Sequence, residues 1–381
     1  MNPPPDSRSS GRRRLRHLAA FTLIFAAQFL LFEIGLRTWG ASEAGPSFQG
    51  LFEDDPVAGF RLKPHARVRF RTAETDAVIA INGLGVRDDE EIGPKPPGER
   101  RVLILGDSLV LSVQVPVEQT FAELLERQLN AGGIETGHRV INAGVQGYGP
   151  VEELLLFRRI AGQVQPDLVI VIVFVGNDAE EALASQAKLA AGPARATLRE
   201  TFLTRLRRLL RRSMVWQILR MRVGSATGRL TVFREPEPPL QSYAAQPAPR
   251  IADGLALARR CVEAIAAEGD RLGARTAIVL MPARFQVDDG DYGRLRDIVR
   301  DAGGDLVRDA ATHRFEAELS TLGLPQLDLL PALRRALPGP DLFYQSTVHL
   351  TPLGHRVVAS ALADFIRAEG LLAQPGVAMS H

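Results

Sequence analysis

The spacing of apolar and polar positions divides the chain into blocks of different character. From residue 101 onward, short unbroken apolar runs alternate with helical patterns. "VLIL" (102–105) ends in Gly106 and reads as a strand buried on both faces of a parallel sheet. "EQTFAELLERQLNA" (118–131) spaces its apolar positions as a helix and stops at Gly132-Gly133. "HRVINAG" (138–144) predicts a second strand and "VEELLLFRRIAGQ" (151–163) a helix. "PDLVIVIVFVGND" (166–178) is the strongest strand signal and is expected at the sheet centre. "LALARRCVEAIAAEGD" (255–270) predicts a helix, and "ARTAIVLMP" and "LPQLDLL" predict strands four and five. Strands alternating with helices imply an α/β class fold: a three-layer α/β/α, flavodoxin-like domain over 101–370 with a five-stranded parallel sheet.

Two blocks depart from that rhythm. Residues 48–100 carry short strand patterns such as "ARVRFRT" and "AVIAING", followed by "INGLGVRDDE" and the connector "GPKPPGER"; they predict a small β-rich preface. At about 185–248 a helical insertion is expected, with a basic helix over 197–223 followed by a proline-rich linker. Its apolar side suits either a lid or buttress on the domain or an interfacial helix contacting lipid or a partner.

The N-terminus changes the picture most. Residues 1–16 form a Pro-, Ser- and Arg-rich tail, expected to be disordered and cytoplasmic. An apolar run over 17–37, interrupted by Gln28 and Glu33, is expected to anchor the protein in a bacterial inner membrane, single-pass, with the N-terminus inside. A cleaved signal peptide is the rival reading, with Ser42 and Ala44 at a small-x-small site. A buried helix of a soluble protein is the third. Either of the first two puts the domain outside the cytoplasm. Composition adds less. A net charge of +2, with lysine only at 63, 95 and 188, gives no reason to expect a nucleic-acid partner. The single cysteine, Cys261, excludes an intrachain disulfide framework and is expected to be buried. The histidines show no metal spacing, and no cofactor is expected.

Candidate chemistry lies where the predicted strands end, since sites in open parallel sheets form beyond the carboxyl ends. Strand one delivers "GDSLVLS" with Asp107 and Ser108; strand two delivers "NAGVQGYG" with Asn142 and Gly144; strand three delivers "VGNDAEE" with Asn177 and Asp178. After strand five, "FYQSTVHLTPLGH" carries His349 on a loop before a helix that Thr351 can cap and Pro352 can begin. A serine, a histidine, an amide and accessible backbone N–H groups are the parts of acyl transfer.

These four blocks resemble the SGNH (GDSL-type) hydrolase superfamily over roughly 101–366, outside the basic insertion. The preface with "INGLGVRDD" also looks like membrane-anchored or secreted bacterial relatives. The resemblance implies Ser108 as nucleophile and His349 as base, with the Ser108 N–H, the Gly144 N–H and the Asn177 side chain forming the oxyanion hole. Asp107, Asn142, Asp178 and His355 are expected to support them. The sequence departs from the family pattern at position 346, three before the histidine, where Ser346 replaces an Asp. The third member is then Ser346, Asp341 or a backbone carbonyl. The expected function is an acyl-ester hydrolase or O-acyltransferase acting on cell-envelope or exported polysaccharide. The alternative is a catalytically impaired glycan-binding or scaffold protein.

Overall fold

The apolar runs do become the centre of a sheet. In the computed structural model, which describes residues 48, 50–131, 137–190, 240–301, 303–336 and 341–373 together with positions 28 and 31, five parallel strands carry the main domain. The preface contributes β1 (Phe52–Asp55), β2 (Gly59–Leu62), β3 (Arg67–Arg71) and β4 (Asp76–Ala80), paired as two antiparallel hairpins. The sheet strands are β5 (Arg100–Gly106), β6 (His138–Gly144), β7 (Leu168–Phe174), β8 (Arg275–Met281) and β9 (Gln326–Asp328). Their order is β6-β5-β7-β8-β9. β7 is therefore central, and all seven of its residues are buried. A strand buried on both faces has no polar alternation to keep, which is why its sequence is an unbroken apolar run.

The register aligns the functional strand ends. Gly106 pairs with Gly144, so the first two strands stop level with one another, and Phe174 pairs with Met281. Short helix α1 (Ser108–Leu111) follows β5 directly. Helix α2 (Phe121–Asn130) is capped by Thr120, which accepts the Glu123 N–H at 3.3 Å. Helices α3 (Pro150–Val164), α4 (Asp178–Ala190) and α5 (Pro249–Arg271) pack together. After β8 come α6 (Arg284–Val287), α7 (Asp289–Asp301) and α8 (Ala310–Ser320); after β9 come α9 (Leu330–Arg335) and α10 (Pro352–Ala368), and α10 packs on α2. Cys261 is buried on α5, where burial pushes its thiol up to about 11.

The preface is joined to the main domain by specific contacts. Tyr148 donates its hydroxyl to the Phe60 carbonyl at 2.6 Å, and Arg159 pairs with buried Asp55 at 2.7 Å. All of this belongs to one compact unit, Ser47–Ala194 with Arg234–His381. The basic tail, the anchor expected over 17–37 (apart from positions 28 and 31) and the basic helix expected over 197–223 lie outside the described residues. Among the described residues no helix is long and apolar enough to cross a membrane.

Candidate active site

Ser108 is the first residue of α1, and the turn that presents it is held from several sides. Asp107 caps α1 by accepting the Leu109 N–H at 2.8 Å. Asn142, at the neighbouring strand end, donates to the Val110 carbonyl at 2.8 Å. Arg87 of the preface is buried under the far end of α1 and donates to the carbonyls of Leu111, Ser112 and Val115. A cation there complements the carbonyl end of the short helix. Within α1, Ser108 is 9% exposed and the three residues after it are at most 2% exposed, so the serine is the end that faces outward.

Gly144 is packed tightly at the end of β6. Its N–H donates to Asn142 Oδ1 at 3.0 Å and is already used. A Cβ at this position would sit 2.3 Å from the Leu111 nitrogen, so the glycine is there to let β6 approach α1. The next glycine, Gly147, is exposed at φ 73° on a turn closed by the Tyr148 N–H to the Val145 carbonyl, and nothing lies within 4 Å of where its Cβ would be. The block "NAGVQGYG" held both glycines. Only the hydrogen-bond pattern separates the packing one from the accessible one.

Asn177 is half-buried just before α4 and donates to Glu181 Oε1 at 2.9 Å, which orients the amide and leaves its second N–H hydrogen. The Asn177 turn adjoins the Gly147 turn: a Cβ on Gly149 would meet Glu181 Cβ at 2.9 Å. Asp178 is buried and accepts the Phe174 N–H at 2.8 Å, tying the end of β7 to the start of α4.

Behind the serine turn lies a feature the sequence reading missed. Glu153 of α3 is 1% exposed, and neither carboxyl oxygen has a hydrogen-bond partner among the described residues. Burial, reinforced by the charges of Asp107, Glu181 and Glu152, pushes its pKa well above the usual carboxylate range. Asp178 is raised by burial and by Glu153 and Asp107, and burial brings Asp107 up to about 6. The signal was available: Glu153 precedes Phe157 and Ile160 by four and seven residues, which sets a carboxyl on the apolar stripe of α3.

His349 lies on the loop before α10 and is 2% exposed. Burial lowers its imidazole to about 4, so at neutral pH it is uncharged and able to accept a proton. The loop packs on the segment that follows Ser108. Tyr344 donates its hydroxyl to the Gln114 carbonyl at 3.5 Å, and His355, whose imidazole is lowered by burial and then by the Arg87 and His349 charges, accepts the Phe121 N–H through Nδ1 at 3.3 Å. His355 also stacks on Phe121 at 5.6 Å between ring centroids. Thr351 caps α10, accepting the Gly354 N–H at 3.3 Å while donating to the Asp341 carbonyl at 2.7 Å.

The residues considered as third member have other engagements. Asp341 is exposed and accepts from Gln345 Nε2 at 2.8 Å. Ser346 is exposed and hydrogen-bonds through its hydroxyl to Glu74, from the β3–β4 turn of the preface. Glu74 lies 272 residues upstream of Ser346, and nothing in "RTAETDA" marks it.

Residues 239–380, which include the His349 loop, match the family described as the SGNH hydrolase-like domain of the acetyltransferase AlgX. That segment is similar to an SGNH hydrolase-like domain. Ser108, Gly144 and Asn177 precede the matched segment. No curated protein matches the chain. Among solved structures, TesA is similar at 11% identity and a TM-score of 0.40, covering 71% of this chain and 99% of its own. A catalytic mutant of Axe2, an acetylxylan esterase from Geobacillus stearothermophilus, is similar at 13% identity and 0.37, covering 73% and 96%. The acetyl xylan esterase AlAXEase is similar at 13% identity and 0.39, covering 69% and 98%.

Proposed function

We propose that this SGNH hydrolase-like domain is a serine-dependent acyl-ester enzyme, a hydrolase or an O-acyltransferase. What supports the reading is that the Ser108 and Asn177 turns follow the ends of the adjacent parallel strands β5 and β7, and that the buried His349 loop and α10 hydrogen-bond to the segment after Ser108 through Tyr344 and His355. The match to a domain of an acetyltransferase family supports the same chemistry.

In this mechanism Ser108 Oγ attacks the acyl carbonyl carbon and its proton passes to His349. Negative charge on the former carbonyl oxygen is met by the Ser108 N–H, the second Asn177 amide hydrogen and the Gly147 N–H, which takes the place first given to Gly144. The departing alkoxide takes the proton back from His349, leaving acyl-Ser108. A water or a sugar hydroxyl then attacks the acyl-serine, with His349 again taking the proton. Hydrolysis and transfer differ only in that acceptor.

The run at 17–37 favours action outside the cytoplasm, with acylated cell-envelope or exported polysaccharide as substrate. The basic helix over 197–223 is proposed to lie on lipid or on a partner, close to that anchor in function.

The test is fluorophosphonate labelling and turnover of a short acyl ester by the full chain. Wild type labels, Ser108→Ala does not, and His349→Ala labels at least about a hundredfold more slowly. On this reading kcat/KM rises with pH through a midpoint near 4, below the ordinary histidine range, because burial favours the neutral base. Absence of Ser108-dependent labelling and turnover would leave the glycan-binding reading in its place.

A further inference from the structure

Glu74 stands on the β3–β4 turn of the preface, far in sequence from every residue of the site, yet three of its hydrogen bonds go to the loop that carries His349. Its carboxylate accepts the Gln345 N–H at 2.9 Å through Oε1 and the Ser346 N–H at 2.9 Å through Oε2, and Oε2 also takes the Ser346 hydroxyl. The opposite edge of the same loop segment is held by Arg284, whose Nη1 donates to the carbonyls of Tyr344 at 2.7 Å and Gln345 at 3.1 Å. Arg284 is itself fixed by Asp291 at 2.5 Å. An anion thus gathers the N–H groups of residues 345 and 346 while a cation gathers the carbonyls of 344 and 345. Together they pin both sides of one short stretch, three residues ahead of His349.

We infer that Glu74 is a positioning residue for His349, an acidic group supplied by the preface that holds the base-bearing loop where this sequence lacks an acid at position 346. The inference rests on the acyl-ester reading of the site. Its physical logic is substitution of one constraint for another. An acid bonded to the imidazole would orient the ring directly. Here a carboxylate orients the backbone from which the ring projects, and the hydrogen bonds are charge-assisted, stronger than neutral ones. The Ser346 and backbone N–H bonds in turn hold Glu74 below the usual carboxylate range against the opposing effect of partial burial. The clamp is therefore intact at neutral pH and opens as the solution is acidified through that lowered value. The preface becomes part of the working site, because its second hairpin delivers Glu74 as the following segment delivers Arg87.

The experiment compares wild type, Glu74→Ala and Glu74→Gln in the full chain, reading ester turnover, fluorophosphonate labelling rate and amide hydrogen exchange of 343–349. Glu74→Ala is expected to lower kcat and the labelling rate about tenfold with KM within about twofold, since the base is misplaced and the binding surface is not. Glu74→Gln, which keeps one acceptor, falls between. Exchange at Gln345 and Ser346 accelerates at least about tenfold in Glu74→Ala. Ser346→Asp sharpens the result. In wild type it sets a second carboxylate against Glu74 and lowers kcat, and in the Glu74→Ala background it restores activity. Turnover within about twofold of wild type in Glu74→Ala, or unchanged exchange at 345 and 346, overturns the inference. If wild type shows no Ser108-dependent turnover, the acyl-ester reading fails, and the exchange measurement alone decides whether the clamp exists.

Discussion

The two halves of the proposed dyad are held by different physics. Ser108 sits on a turn braced from inside: Asp107, Asn142 and Arg87 are each at most 5% exposed, and their bonds go to the backbone of residues 109–115. The His349 loop is braced from outside, where Glu74, Gln345, Ser346 and Asp341 are all exposed and bonded to one another or to loop N–H groups. Buried bonds have no water to replace them, so losing one partner leaves the other unsatisfied. Surface bonds exchange with water at little cost in stability. The nucleophile is therefore expected to be a stability problem when its supports are cut, and the base an activity problem.

The largest effect should follow Arg87→Ala. It strips the Leu111, Ser112 and Val115 carbonyls of their shared donor and is expected to cost about 3–5 kcal/mol in urea unfolding. A cost below about 1 kcal/mol would show that water replaces the guanidinium and that the inside–outside contrast is false.

Glu153→Gln probes the same interior through pH. A carboxyl raised in the folded state binds a proton that the unfolded chain releases above the ordinary value of 4.5. Its contribution is therefore fully present below that value and is lost as pH rises through the folded one. Removing the proton site should flatten the fall of stability above about pH 4.5 by up to about 1.4 kcal/mol per pH unit. An unchanged slope would mean that Glu153 carries no proton in the native state.

Asp341→Ala should do least. Its carboxylate is exposed and accepts from the Gln345 amide, so stability should change by less than about 0.5 kcal/mol and kcat by less than about twofold. A tenfold loss of kcat would instead assign Asp341 as the displaced acid and take that part from Glu74.

What could be read without coordinates was whatever repeats or clusters locally. The central strands were legible because both faces are covered, as at β7, where all seven residues are buried and the run is unbroken apolar. Ser108, Asn177 and His349 stood out because each belongs to a short, compact block of polar residues and glycines. Asp107 was legible as a cap because the Leu109 N–H it binds is two residues away. The roles of the two glycines in the next block were not legible there: only the Asn142 contact and the closeness of Leu111 show that the Gly144 N–H is engaged in packing.

Glu74 and Arg87 were beyond the sequence altogether. Their partners lie 272 and 24 to 28 residues away, and an isolated charge in a turn carries no periodic signal. The chain alone determined the sheet, the chemistry-bearing blocks and the missing acid at 346. The tertiary structure decided which groups hold the serine and the histidine in place, because those hydrogen bonds exist only after the preface has folded against the strand ends.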